Sequence, residues 1–255
     1  MGVAKKNTQQ EQLPLEYGPG GDTLRYGAPQ ADAAAMASHF AQSHGRSHNP
    51  DQFANIRAGE SHYTSALAVR PEYASRRPLT RSMRRSYRAL TEHVNAQYEH
   101  MTKPQEQGGL GITVEVSKEN PYDHARDISA DVTNNRRMRV LATEATGGHA
   151  LWSNEQNDKF RAVHDFIGHL AIGRDFSRHG EEAAYESHAA TLPKEAHRAL
   201  ASETRAQNSY MIYDPNKDFP PNTAINVPSW MTSTRNIPKP KKSKQARSEQ
   251  PELPF

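Results

Sequence analysis

The residues best suited to chemistry lie in one stretch, FRAVHDFIGHLAIG at 160–173, where His164 and His169 stand five apart with Asp165 beside one and Gly168 beside the other. Imidazole nitrogens are the commonest protein ligands for Zn, Fe and Cu ions, so the pair raises metal binding as its first chemistry. On a regular α-helix each residue advances about 100°, so side chains five apart point about 140° from each other. The arc between them carries Asp165 and Gly168, and a glycine there leaves space for an ion, a water or another helix. The opposite arc carries Phe160, Val163, Ile167 and Leu170 and faces a core. Taken alone, this pattern also fits two amphipathic histidines, one half-buried and one exposed.

The helices that follow shift the balance. Glu182 and Glu186 are spaced i, i+4 and share a face with Ala189 and Ala190. Further on, Ala196, Ala199, Leu200, Glu203, Gln207, Tyr210 and Met211 form one stripe, interrupted by Glu203 and Gln207 where a plain core helix has Leu or Val. Burying a carboxylate is costly unless a cation or hydrogen bonds compensate it. Helix bundles build metal sites from such inward-pointing His and Glu side chains. An earlier helix could add Glu92, Gln97 or Glu99. The competing account is a buried ion-pair network with Arg161, Arg198 or Arg205. The metal or catalytic reading is preferred.

Composition narrows the chemistry. The chain has 255 residues, no Cys and 13 His. Thiolate zinc sites, iron–sulfur ligation, disulfides and cysteine nucleophiles are thereby excluded, and any metal is held by His, Asp, Glu or water. No apolar run has the length of a membrane span, and none follows the N-terminus as a signal peptide requires; the expected location is the cytoplasm. The pI is near 9.0, yet net charge is only +3, with basic clusters at the ends, MGVAKK and PKPKKSKQAR (238–247). These read as solubilising tails, with weak nucleic-acid contact through the C-terminal run as the alternative.

Periodicity and punctuation supply the elements. Hydrophobic residues make up 35% of the chain and mean hydropathy is −0.92, so one ordered helical domain with long disordered tails is expected. The expected segments are a disordered tail at 1–29, a short helix (31–45) followed by an irregular segment to 79, a helical domain at 80–213, and a Pro-rich, basic, disordered tail at 214–255. Within the domain, helices are predicted at 80–101, at 153–172 from a Ser153 cap, at 181–192, and from Pro193 to about Tyr213. GITVEVS (111–117) and RMRVLATE (137–144) alternate as strands, separated by a turn and a short helix. The fold class is mainly α with a small two-stranded insertion.

HDFIGH resembles the iron-binding segment of pterin-dependent aromatic amino acid hydroxylases, which has the same HxxxGH spacing. That resemblance implies His164 and His169 as ligands, completed by a downstream carboxylate, with Glu186 preferred and Glu182 or Glu203 as the other choices. A longer set, NDKFRAVHDFIGH, HGEEAAYESH and ETRAQNSY, resembles bacteriophage-encoded proteins of unassigned function over roughly 120–210. It implies a viral source, a bacterial host cytoplasm, and a virion as an alternative location.

The leading functional expectation is a metal-dependent enzyme with Fe(II) favoured over Zn(II): an oxygenase or hydroxylase if iron, a hydrolase if zinc. Glu182 is the expected general base and Asp165 the residue that orients a histidine, with Glu203 and Gln207 further catalytic candidates. The alternative from another class is a non-enzymatic virion or DNA-associated protein whose tails contact partners. QLPLEY (12–17) and QPELPF (250–255) each resemble the peptides that dock on bacterial sliding clamps.

Overall fold

The computed structural model describes residues 26–212, apart from positions 54, 59, 60 and 76, and residues 224–233. Of the disordered tail expected at 1–29, residues 1–25 lie outside the described residues, as do both clamp-like peptides and the basic run at 238–247. Tyr26 is tied to the domain by its N–H, which donates to the Gly173 carbonyl at 2.9 Å. None of the described helices is long and apolar enough to cross a membrane.

The longest element, α3 (Arg81–Thr102), starts where Thr80 accepts a hydrogen bond from the Met83 N–H. Its buried stripe of Met83, Tyr87, Leu90, Val94, Gln97 and Met101 repeats every three to four residues, the spacing of one helix face. One polar residue in that stripe, Gln97, is fully buried. Helix α5 (Asn154–Val163) begins at the expected Ser153 cap, and α3 packs against α5 and against α7 (His197–Glu203). Two strands, β1 (Thr113–Ser117) and β2 (Arg137–Leu141), pair in parallel from Thr113↔Arg137 to Ser117↔Leu141. A parallel pair needs a crossover, and α4 (Ala125–Asn135) supplies it where a short helix is expected.

Three expectations need correction. The segment expected to be irregular at 46–79 contains α2 (Ser61–Ser75); Ala66, Val69 and Tyr73 are buried at helical spacing, and α2 packs on α8 (Arg205–Ile212). The helix expected to run unbroken to Tyr213 is divided at Thr204 (φ −128°, ψ −80°), whose hydroxyl donates back to the Leu200 carbonyl. Residues 224–233, expected within a disordered tail, lie against the domain. Ile225, Val227 and Met231 are buried, and Tyr185 Oη donates to the Thr232 carbonyl at 3.0 Å.

The last finding follows from an ion-pair network between α6 (Arg178–Ala190) and α8. Arg205 is fully buried and binds Glu182 (3.0 Å from Nε) and Glu186 (2.6 Å), with its guanidinium 3.7 Å from the Tyr185 ring centroid. It also donates to the Met231 carbonyl. The i, i+4 glutamates of α6 thus share a partner, and that partner is an arginine.

Arg205→Leu leaves two carboxylates without their cation, one of them fully buried, and is expected to cost about 3–5 kcal/mol in urea denaturation. Replacing Glu182 and Glu186 as well, by Leu and Gln, should recover most of that loss.

A second network ties the βαβ unit together. Asp131 accepts from Tyr122 (2.7 Å), Asn135 (2.7 Å) and Arg137 (3.1 and 3.2 Å). Burial works against this carboxylate, but the hydrogen bonds from Arg137, Tyr122 and Asn135 outweigh it and hold it down to about 2. A carboxyl depressed in the folded state stabilises fully above its unfolded value, and that contribution disappears as pH falls through the folded one. Stability should therefore drop by about 1–2 kcal/mol between pH 4 and pH 2, a figure discounted for the exposure of Arg137. Asp131→Asn should remove that step from a pH series of thermal melts.

Candidate metal centre

The helix that begins at Asn154 does not continue as an α-helix through the two histidines. Residues His164–His169 form a π-helix, followed by a 3₁₀ turn at Leu170–Ile172. The Leu170 N–H reaches the carbonyl of Asp165, five residues back, as well as that of Phe166. A π turn holds more residues than an α turn, so residues five apart stand about as residues four apart do on an α-helix, instead of about 140° apart. This corrects the expectation of a regular helix and removes the awkward spacing. His164 and His169 lie on one face, their ring centroids 5.4 Å apart, and both are buried.

Helix α6 makes the π turn affordable. Ser187 Oγ donates to the Ile167 carbonyl at 2.7 Å, satisfying a group inside the π segment, and accepts from His48 Nε2 at 2.8 Å. A Cβ on Gly168 would stand 3.1 Å from Ala184 Cβ and 3.2 Å from both the Ala184 carbonyl oxygen and His164 Cε1. Of the occupants expected beside Gly168, an ion, a water or another helix, it is a helix, α6, that takes the space, together with the His164 ring. Gly180 plays a similar part, since a Cβ there would meet the Asp175 carbonyl oxygen at 1.9 Å.

On α6, Glu181, Ala184 and His188 form the stripe i, i+3, i+7 that faces the π turn. Glu181 Oε1 lies 3.4 Å from His169 Nε2, and Oε2 lies 3.8 Å from His164 Nε2. One ligand atom from each of the three residues falls within 4.8 Å of the others. Ligands about 2.1 Å from one tetrahedral ion stand about 3.4 Å from each other, so the three atoms surround a space of the right size. Neither histidine Nε2 has a hydrogen-bond partner, although both atoms are buried. Burial works against the Glu181 carboxylate, but His169 and His164 outweigh it and hold it down to about 2. Burial likewise disfavours the imidazolium of His169, yet the adjacent Glu181 prevails and raises its pKa. His169 Nε2 is thus a position where a proton and a cation compete.

The hydrogen bonds behind the histidines fix which nitrogen faces Glu181. His169 Nδ1 donates to the Asp175 carbonyl at 2.9 Å, which leaves Nε2 as the metal-facing atom. For His164 the direction follows from a chain. Thr191 Oγ1 donates to the His188 carbonyl (2.8 Å), so it accepts from Gln97 Nε2 (2.9 Å). That orients the amide and leaves Gln97 Oε1 to accept from His188 Nε2 (3.3 Å). His188 is neutral, because burial pushes its pKa well below the ordinary value, so its Nδ1 is the acceptor. His164 Nδ1 must then be the donor across the 3.3 Å contact, which leaves Nε2 as the atom that faces Glu181.

The structure distributes the other expected site residues differently. Glu186, the expected third ligand, and Glu182, the expected base, are both held by Arg205; the carboxylate that joins the histidines is Glu181. Its signal was present in the sequence as the stripe with Ala184 and His188, beside the stripe of Glu182 and Glu186. Asp165 lines a cleft of about 240 Å³, open to solvent, whose wall also includes His164 and Glu181. It makes no hydrogen bond to either histidine; the Asp175 carbonyl and His188 are the groups bonded to them. Burial pushes the Asp165 carboxyl up, against the pull of His169 and His164. Glu203 and Gln207 line the same cleft without joining the ligand group. Glu203 accepts from the Tyr87 hydroxyl and from Gln207 Nε2 (3.4 Å), and faces His149 Nε2 at 3.3 Å. Sequence reasoning did not reach His188 as a support, or His149 and Tyr87 as partners of Glu203.

No family model, curated protein or solved structure matches this chain.

His188→Leu removes the acceptor that orients His164. It is expected to weaken divalent-metal affinity by about 10- to 100-fold in a chelator competition assay. His188→Asn, whose amide oxygen can accept from His164 Nδ1, should retain more of it.

Proposed function

We propose that this chain is a metal-dependent enzyme in which His164, His169 and Glu181 hold one divalent ion at the wall of the cleft, with ferrous iron and oxidation of an organic substrate as the leading chemistry. The observation that carries this reading is the pair of buried Nε2 atoms, neither in a hydrogen bond, that converge on the half-buried Glu181 carboxylate. Such a group is costly to bury unless something positive sits between its members. Two histidines and one carboxylate on one side of an ion form the facial arrangement of non-haem iron sites, with the remaining positions open. Ferrous iron held there would supply electrons for the reaction of O₂ with a substrate.

The chain's own residues do the rest. His188 and the Asp175 carbonyl hold the two imidazoles in the ligating tautomer. Phe176 stands against His169, ring centroids 4.8 Å apart, and Phe160 stacks on His164 at 5.8 Å, which limits water behind the ligands. The resemblance of HDFIGH to iron-binding segments supports the same metal. A second reading, zinc-dependent hydrolysis, draws on Asp165, a carboxyl on the cleft wall with no hydrogen bond or ion pair among the described residues. It is available there to take a proton from a bound water.

Metal analysis of protein reconstituted without oxygen tests the proposal. Wild type should hold stoichiometric metal, as should Glu186→Gln, while His164→Ala, His169→Ala and Glu181→Ala should lose it. Equal or absent metal in all five proteins would sink the proposal. Iron retained in preference to zinc supports the oxidative reading, and the reverse supports hydrolysis.

A further inference from the structure

We infer that the cleft receives an anionic substrate group, a carboxylate or a phosphoryl, on the guanidinium of Arg161. The inference deepens the metal-enzyme reading and rests on it only for what the bound substrate then meets. Arg161 lies in the last turn of α5, just before His164, and lines the same cleft as His164, Asp165 and Glu181. Its two terminal nitrogens donate to neutral acceptors, the Leu141 carbonyl at 3.1 Å and Thr146 Oγ1 at 3.0 Å. Among the described residues, no carboxylate forms an ion pair with it.

The nearby acids are otherwise engaged. Asp158 accepts from the Thr143 backbone (2.8 Å) and hydroxyl (2.6 Å), Glu203 accepts from Tyr87 and Gln207, and Asp165 stays outside ion-pair distance. Burial accordingly lowers the Arg161 pKa, with Asp158, Asp165 and Glu203 only partly compensating. The contrast with Arg205 is informative, because the same fold gives that buried guanidinium two carboxylates. A guanidinium has five N–H donors in a planar fork suited to a carboxylate or phosphate. With only two contacts to neutral oxygens, Arg161 retains donors and an unneutralised charge.

A second guanidinium stands on the same wall. Arg139, from β2, lines the cleft and lies 5.0 Å from the Tyr122 ring centroid. Its Nε is buried without a hydrogen-bond partner, and its contact with Asp131 is long at 3.8 Å because Arg137 takes that carboxylate. The cleft thus carries two arginines whose charges its own acids leave partly unmet.

The test uses the metal-free full-length chain, titrated with acetate in one arm and inorganic phosphate in the other. Nuclear magnetic resonance follows the arginine Nε–Hε signals; that of Arg161 is identified by its loss in Arg161→Lys. A saturable millimolar shift of the Arg161 signal is expected, phosphate saturating if the group is a phosphoryl and acetate if it is a carboxylate. Arg161→Lys keeps the charge but loses the fork, and should raise Kd, read on the Arg139 signal, by about tenfold. Arg139→Gln, which leaves the Leu141 and Thr146 contacts in place, should weaken binding as read on Arg161. Saturation by neither anion, or unchanged affinity in both variants, overturns the inference. The titration contains no metal and metal retention is read separately on the wild type, so loss of the metal reading and loss of this one are separate results.

Discussion

The candidate ligand group depends on the widened turn in which the Leu170 N–H reaches back to the Asp165 carbonyl. There the chain between Val163 and Leu170 widens, and two histidines that an α-helix would hold apart come onto one face. A π turn is rarely stable by itself, so its surroundings must favour it. Here α6 does so through Ser187, which bonds the Ile167 carbonyl, and through Ala184, which lies against the bare backbone of Gly168. The same helix carries Glu181 to the histidines, so the element that stabilises the unusual turn also completes the ligand group.

Helix α6 separates two kinds of buried charge on adjacent stripes. Glu182 and Glu186 turn to Arg205, where an ion pair ties α6 to α8 and to the segment at 224–233. Glu181 turns the other way, to two imidazoles and no arginine. The first stripe is held by a guanidinium and is structural. The second leaves room at its centre, and its hydrogen-bonded support through His188, Gln97 and Thr191 reaches across to α3. Gln97, the polar interruption in the α3 stripe, therefore acts on the site without touching it.

Much of this architecture was legible in the sequence. The cap at Ser153, the stripe of α3, the two strands and the intervening helix follow from local pattern, because periodicity reports which face is buried. The histidine pair stood out by residue type. Three things were not legible, each for a physical reason. A π turn has no strong propensity signature, since it depends on what packs against it. The choice among Glu181, Glu182 and Glu186 depends on where Arg205 lies, which is a tertiary fact. The helix at Ser61–Ser75 is held by Ala66, Val69 and Tyr73 against α8, although Pro71 and the surrounding Arg and Pro residues suggest irregular chain.

The widened turn also has a consequence for how the chain can change length. A π segment amounts to one extra residue within an α-helical frame, so HxxxxH here does the geometric work of a histidine pair four apart. Losing one residue between His164 and His169 would restore a regular helix and still leave two histidines on one face. The chain downstream, including the Asp175 carbonyl that holds His169, would keep its angular register, because the widened turn is what absorbs the extra residue. A further insertion or deletion, with no second widened turn to absorb it, would instead rotate all that follows by about 100° and be felt at once by the ligand group, its support and its cleft.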